Sequence, residues 1–195
     1  RFRAFAYAVS QNQTKTCWIL KCDIRKFFEN IDHGILLIIL KRYIPDKDII
    51  RLLEKVIRSF HSKDKPGAGL PLGNLTSQLF VNIYMNEFDQ FMKHRLKAKY
   101  YIRYADDFAV LSDNKHWLEN RISPIKTFLS DKLELEMHKD KVFLKTLTSG
   151  LDFLGWVHFP DHRTLRTTTK RRMSKRLRES QTMETLTSYL GLIKH

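Results

Sequence analysis

Apolar positions along this chain follow two rhythms, and the switches between them mark its elements. From Asp46 to Phe60, Ile49, Ile50, Leu53, Val56, Ile57 and Phe60 recur at helical spacing behind Pro45 and Asp46, which predicts a helix. Asn74 to about Leu96 repeats the pattern over a longer stretch, with Leu75, Leu79, Ile83, Phe88, Phe91 and Met92 three to five positions apart. Thr16 to Ile24 is instead a run of apolar and β-capable residues, read as a strand that feeds a helix from about Asp32. Tyr100 to Tyr104 and Phe108 to Leu111 are two β-rich runs joined by Ala105-Asp106-Asp107, a hairpin signal. A helix from about Lys115 to Ser130, a strand and turn over Leu133 to Val142, and short strands within Leu151 to Phe159 and Thr164 to Thr167 follow, then a basic helix. Strands and helices interleave with antiparallel hairpins among them, so an α+β layer architecture is expected rather than a doubly wound parallel sheet. The only linker-like segment is Ser62 to Gly69.

Composition narrows the class. With 195 residues, 43% of them hydrophobic and 12% aromatic, the chain can bury a core and is not a disordered polyelectrolyte. Its formal net charge of +14 points to a polyanionic partner. Half of that surplus sits in residues 163–195, where nine Lys and Arg face only Glu179 and Glu184. Within it Lys170, Arg171, Arg172, Lys175, Arg176 and Arg178 recur at three and four positions, a stripe able to follow phosphates. Cys17 and Cys22 make no disulfide framework and no zinc spacing, as in a reduced intracellular protein. The longest apolar run, Ile35 to Leu40, is far below the roughly 20 residues that span a bilayer. The chain opens on Arg1 rather than Met, as a fragment does.

Two adjacent aspartates at a hairpin tip repel one another unless a cation neutralises them. Asp106 and Asp107 are flanked by apolar strand residues that hold the turn rigid, and Asp23 ends another apolar strand. If these strands pair, Asp23 and Asp106 converge and can hold hard cations on oxygen, the constellation of two-metal phosphoryl transfer.

These residues carry a family resemblance. The sequence resembles a reverse transcriptase: Tyr104-Ala105-Asp106-Asp107 matches the YxDD motif, and Leu20 to Phe28 resembles the first palm motif. Gly69 to Gln78 falls where the templating loop is expected, and Asp152-Phe153-Leu154-Gly155-Trp156 resembles the primer grip. The resemblance implies a right-hand polymerase palm, an antiparallel sheet with helices on one face, with partial fingers and palm over residues 1–168 and the start of a helical thumb over 169–195. It implies that Asp23 and Asp106 are metal ligands with Asp107 assisting, that the Ile24 carbonyl adds an oxygen, and that the cofactor is two Mg²⁺, with Mn²⁺ as a substitute. Phe28 matches the aromatic that lies under the sugar and excludes a 2′-hydroxyl. Phe27, its neighbour on an extended segment, is expected in the core. Leu72 and Gly73 would meet the incoming nucleotide, Phe153, Leu154 and Gly155 would form the primer grip, and the six basic residues at 170–178 would hold the duplex. Lys141 matches the lysine proposed to protonate the leaving pyrophosphate, with Lys139 as the competing counterpart.

In this chain Leu72-Gly73 is followed by Ser77-Gln78, where many reverse transcriptases have Gln-Gly and then Ser-Pro. This version resembles the enzymes of diversity-generating retroelements, bacterial systems that copy a template RNA with errors at adenines. An aliphatic Leu72 removes a hydrogen-bonding amide beside the base pair, one route to infidelity. The expected function is therefore an RNA-directed DNA polymerase, cytoplasmic and bacterial or phage-encoded. Its expected partners are template RNA, a primer or cDNA strand and deoxynucleoside triphosphates, with room for an accessory RNA-binding protein and no membrane. A group II intron-type reverse transcriptase or maturase and a non-catalytic palm-fold RNA-binding module are the alternatives.

Overall fold

Strands rich in β-branched and aromatic residues build one antiparallel sheet from β1 (Trp18–Cys22), β2 (Tyr100–Tyr104), β3 (Asp107–Ser112) and β4 (Phe143–Thr146), in the order β2-β3-β1-β4. These coordinates are a computed structural model, and they describe residues 1–179 and 182–194. In the register Cys22 lies opposite Phe108 and Leu20 opposite Val110, while Tyr101 lies opposite Val110 on the other side of β3. Because side chains alternate across a sheet, these residues share one face. That face is buried with Phe80, Tyr84 and Phe88 of α4 (Leu75–Gln90), Leu36 of α2 (His33–Tyr43), and Leu118 and Leu129 of α5 (Lys115–Leu133). The opposite face carries Ile19, Ala109 and Leu111, all buried, and α1 (Phe2–Val9) covers its Tyr100 end, where Phe5 meets Tyr100 edge to face at 5.7 Å. The other end of that face carries Lys21 and Asp107.

The helices begin where the sequence supplies a cap. Asp32 accepts a hydrogen bond from the Ile35 N–H at α2, and Asp46 accepts from Asp48 and Ile49 at α3 (Lys47–Arg58). Three expectations need correction. The long helix stops being α-helical at Gln90 and continues as a π turn over Phe91–Arg95. Residues 133–142 keep a strand-like burial rhythm, Leu133, Leu135 and Met137 in and Glu134 and Glu136 out, yet form only one bridge, Met137 to Ile24. Glu134 turns the chain at φ 47°, and a 3₁₀ turn over Lys139–Lys141 ends the extended stretch before β4. The Ser62 to Gly69 segment is no linker: Ser62 N–H donates to the Ala68 carbonyl and Gly69 N–H to the Ile31 carbonyl, at 2.7 and 2.8 Å. A Cβ at Gly69, φ 103°, would stand 2.9 Å from the Ser62 nitrogen, so the close approach requires glycine.

The chain divides into two compact units, Arg1–Lys145 and a second that begins at Thr146. In the second, β5 (Leu151–Phe153), β6 (Trp156–His158) and β7 (Arg163–Leu165) form an antiparallel meander, followed by α6 (Thr167–Glu179) and α7 (Met183–Lys194). The small sheet thus folds with the basic helix, 23 residues ahead of the 168/169 division drawn from sequence. Among the described residues no helix is long and apolar enough to cross a membrane.

Candidate active site

Tyr104 pairs with Asp107, so only Ala105 and Asp106 make the turn between β2 and β3. Two-residue hairpins need positive φ, usually from glycine or asparagine, and here Ala105 supplies it at 51°. An alanine held there is strained and must be fixed by its surroundings. The fixing groups lie on the helix side: Arg103 donates from Nη1 to the Ala105 carbonyl at 3.0 Å, and Asp89 of α4 receives the rest of the guanidinium.

Asp23 leaves the end of β1 and is held by the bridge that the sequence pattern did not resolve. The His138 N–H donates to the Asp23 carbonyl and the Arg25 N–H to the Glu136 carbonyl, each at 2.8 Å, on either side of Ile24. The bridge uses those groups and not the Ile24 carbonyl, the one expected to face a metal. Lys141, on the 3₁₀ turn that follows, places Nζ 3.2 Å from both Asp23 oxygens. Lys139, the competing lysine, is exposed on the same turn.

The register that sets Cys22 opposite Phe108 brings Asp23 beside the turn that carries Asp106 and Asp107. The Asp106 carboxyl is pushed up, first by burial and further by the charges of Asp23 and Asp107, while its own backbone hydrogen bond and Lys141 pull it down. The buried Asp107 Oδ1 meets Lys21 Nζ at 3.2 Å. Three carboxylates thus face two lysines, an excess of hard oxygen donors that fits a site completed by cations. No group of three His, Cys, Asp or Glu side chains among the described residues forms a ready cage. Cys22, on the helix side of β1, is pushed up to about 12 by burial and is a core residue.

Phe27 and Phe28 do separate as expected, one buried and one half-buried, but not by strand alternation. Phe27 has helical angles, φ −49° and ψ −59°, and Phe28–Asn30 is a 3₁₀ turn, so the rings diverge around a turn and meet at 76°. The Leu70 N–H donates to the Phe28 carbonyl at 2.8 Å, tying the expected templating loop to this turn. Buried His33 secures the same loop: its Nε2 lies 2.7 Å from the Gly69 carbonyl, and its N–H donates to the Gly67 carbonyl. Beyond the anchor, Leu72 is 76% exposed and Gly73 turns at φ 91° into α4.

In the second unit Phe153 is buried with Leu147, Leu151 and Leu165, so it is core, and Leu154 and Gly155 form the exposed hairpin turn. Lys170, Arg171, Arg172, Lys175, Arg176 and Arg178 are all exposed along α6, with Met173 and Leu177 partly buried. Sequence reasoning gave no role to Lys21, His33, Asp89 or Arg103. The available signal was Arg103 itself, a charge at a helix-facing position of a strand.

The hairpin tip of the sheet thus carries paired aspartates, with a third at the end of the neighbouring strand. The chain belongs to the reverse transcriptase (RNA-dependent DNA polymerase) family, whose match spans residues 2–158. It is similar to Protein YkfC of Escherichia coli, 26% identical over 73% of this chain and 47% of that protein. It is also similar to the group II intron-encoded protein LtrA of Lactococcus lactis, 24% identical over 81% of this chain and 37% of the other. The chain thus spans less than half the length of these relatives. Among solved structures, apo telomerase from Candida tropicalis superposes with a TM-score of 0.67 at 14% identity, over 85% of this chain and 39% of that one. That likeness shows the fold: mixed helices and an antiparallel sheet arranged as in a telomerase.

Proposed function

We propose that this chain is the palm-bearing part of an RNA-directed DNA polymerase that copies a template RNA into cDNA. The observation that carries the reading is the convergence of Asp23, Asp106 and Asp107 on the open end of the sheet, with Lys141 paired to Asp23. Asp23 and Asp106 would hold two Mg²⁺ ions, or Mn²⁺ in their place, with Asp107 and the Ile24 carbonyl assisting. When bound, such ions neutralise charge on the attacking primer oxygen and on the leaving pyrophosphate. Lys141, whose Nζ pairs with the Asp23 carboxylate, would pair with the triphosphate and pass a proton to the departing oxygen. Phe28 closes the space where a 2′-hydroxyl would stand, and Leu72 and Gly73 border the templating base. Leu154 and Gly155 offer an apolar tip to the primer, with Phe153 as its support. The α6 stripe grips the duplex phosphates, so binding weakens steeply with salt.

Primer extension on an RNA template with Mg²⁺ and deoxynucleotides tests this. Asp106→Ala is expected to cost at least about 10³-fold in incorporation, as loss of one member of a catalytic unit does. Full activity in that variant refutes the assignment, and salt-dependent RNA binding with no incorporation by the unaltered protein favours the non-catalytic module. Two lineages are supported by different observations. Leu72 in the templating loop favours the error-prone retroelement type, whereas similarity to a group II intron-encoded protein favours the intron type. Leu72→Gln separates them: a lower error rate opposite adenine supports the first, an unchanged spectrum the second. An accessory RNA-binding protein belongs to the first reading.

A further inference from the structure

Arg103 occupies a position that the sheet register assigns to the core. It lies opposite Phe108 and two residues from Tyr101, on the face that packs against α4 and α5, and its side chain is only 8% exposed. A guanidinium there is tolerable only with a carboxylate in good geometry. Asp89, 21% exposed and one residue before the end of α4, meets it as a fork, Nε to Oδ1 at 2.9 Å and Nη2 to Oδ2 at 2.7 Å. The Tyr101 hydroxyl donates to Asp89 Oδ1 at 2.6 Å and fixes the carboxylate in turn. With two nitrogens locked, Nη1 donates to the Ala105 carbonyl at 3.0 Å and makes a longer contact of 3.5 Å to Asn82 Oδ1.

The Ala105 carbonyl belongs to the peptide that leads into Asp106, so its orientation sets where the Asp106 side chain emerges. Ala105 holds φ 51° against its own preference, and this contact is a side-chain bond that opposes relaxation. The anchor is on α4, whose first residues directly follow Leu72 and Gly73. One helix therefore links the templating-loop end of the unit to the acidic turn.

We propose that Asp89 and Arg103 are positioning residues, which aim Asp106 at its metal through the Ala105 carbonyl without touching metal or substrate themselves. The proposal rests on reading Asp106 as a metal ligand, and it extends the site to a part-buried pair behind the sheet. Groups that orient a ligand from behind typically cost 10–100-fold in metal affinity or activity when lost, and an effect of about that size is expected here.

The test is Mn²⁺ binding to the protein, followed by the loss of the free-ion electron paramagnetic resonance signal, with primer extension in parallel. Asp106→Ala defines which binding belongs to the site. Arg103→Lys keeps the charge and loses the three-way fork, and Asp89→Asn keeps the shape and loses the ion pair. Both are expected to weaken Mn²⁺ binding by about tenfold or more and to lower kcat in proportion, with the KM for deoxynucleotide within about threefold. Asp89→Leu combined with Arg103→Met removes the buried charges and keeps an apolar layer, so it restores any fold lost in the single variants. A purely structural role predicts that this double variant regains Mn²⁺ affinity, whereas a positioning role predicts that it stays weak. Wild-type Mn²⁺ affinity in Arg103→Lys or in the double variant overturns the proposal. Wild-type affinity in Asp106→Ala instead overturns the metal-ligand reading beneath it, so the two failures are distinct.

Discussion

The β2–β3 and β5–β6 hairpins are each closed by two residues, and both hold an ordinary side chain where glycine is usual. Ala105 stands at φ 51° in the β2–β3 turn and Leu154 at 53° in the β5–β6 turn. They are fixed by different means. The first is tied from behind by a buried fork on a separate helix, Asp89 to Arg103 to the Ala105 carbonyl. The second has Gly155 at φ 83° beside Leu154, the pattern of a turn that matches strand twist without outside help. It is steadied by the Arg166 N–H donating to the Gly155 carbonyl at 3.0 Å and by an ion pair between Arg166 and Asp152 that is 40% and 41% exposed. A turn that aims an acid within a cluster of acids needs an anchor in the core, because charge repulsion works against its position. A turn that presents an apolar tip is served by suitable backbone geometry and a half-exposed tie.

The largest effect that can break this comparison is on turnover. Asp106→Asn is expected to lower primer extension by at least about 10³-fold, and Leu154→Ala by less than about tenfold, in the same assay. Equal losses would place both turns in the chemistry. Next comes stability, read from denaturant unfolding of each variant. Arg103→Leu leaves the part-buried Asp89 carboxylate without its guanidinium and is expected to cost about 2 kcal/mol, whereas Arg166→Leu breaks a half-exposed pair and costs under about 1 kcal/mol. A reversal of that order would mean that the buried fork is not the stronger anchor. The smallest effect concerns backbone strain. Ala105→Gly and Leu154→Gly each relieve a left-handed residue and are expected to raise stability by about 0.5–1 kcal/mol. Only Ala105→Gly is expected to slow incorporation, by severalfold, because the freed turn no longer holds Asp106. Unchanged turnover would show that the Arg103 contact alone fixes the carboxylate.

Local pattern made much of the molecule legible. The hairpin around Asp106, the strand ending at Asp23 and the helices at 33–43, 47–58 and 115–133 lie close to where periodicity and caps put them. Leu133 to Met137 shows the limit: its alternation is real in burial, yet it forms one bridge because Glu134 and the 139–141 turn bend the chain away. The Pro-Gly-rich stretch before Leu70 reads as a linker from composition, while His33 and the Ile31 and Phe28 carbonyls stitch it to the first motif. Asp89 and Arg103, 14 positions apart, have no local signature of partnership, since a helix end and a strand meet only after packing.

The sequence by itself determined the element types, the acidic motifs, the basic stripe and the family they belong to, because each depends on residues near one another in the chain. Tertiary structure alone decided which lysine reaches Asp23, which side of β2 carries Arg103, and that the α4 anchor fixes the strained turn. Those are questions of register and layer packing, where a shift of one residue moves a side chain to the other face of the sheet.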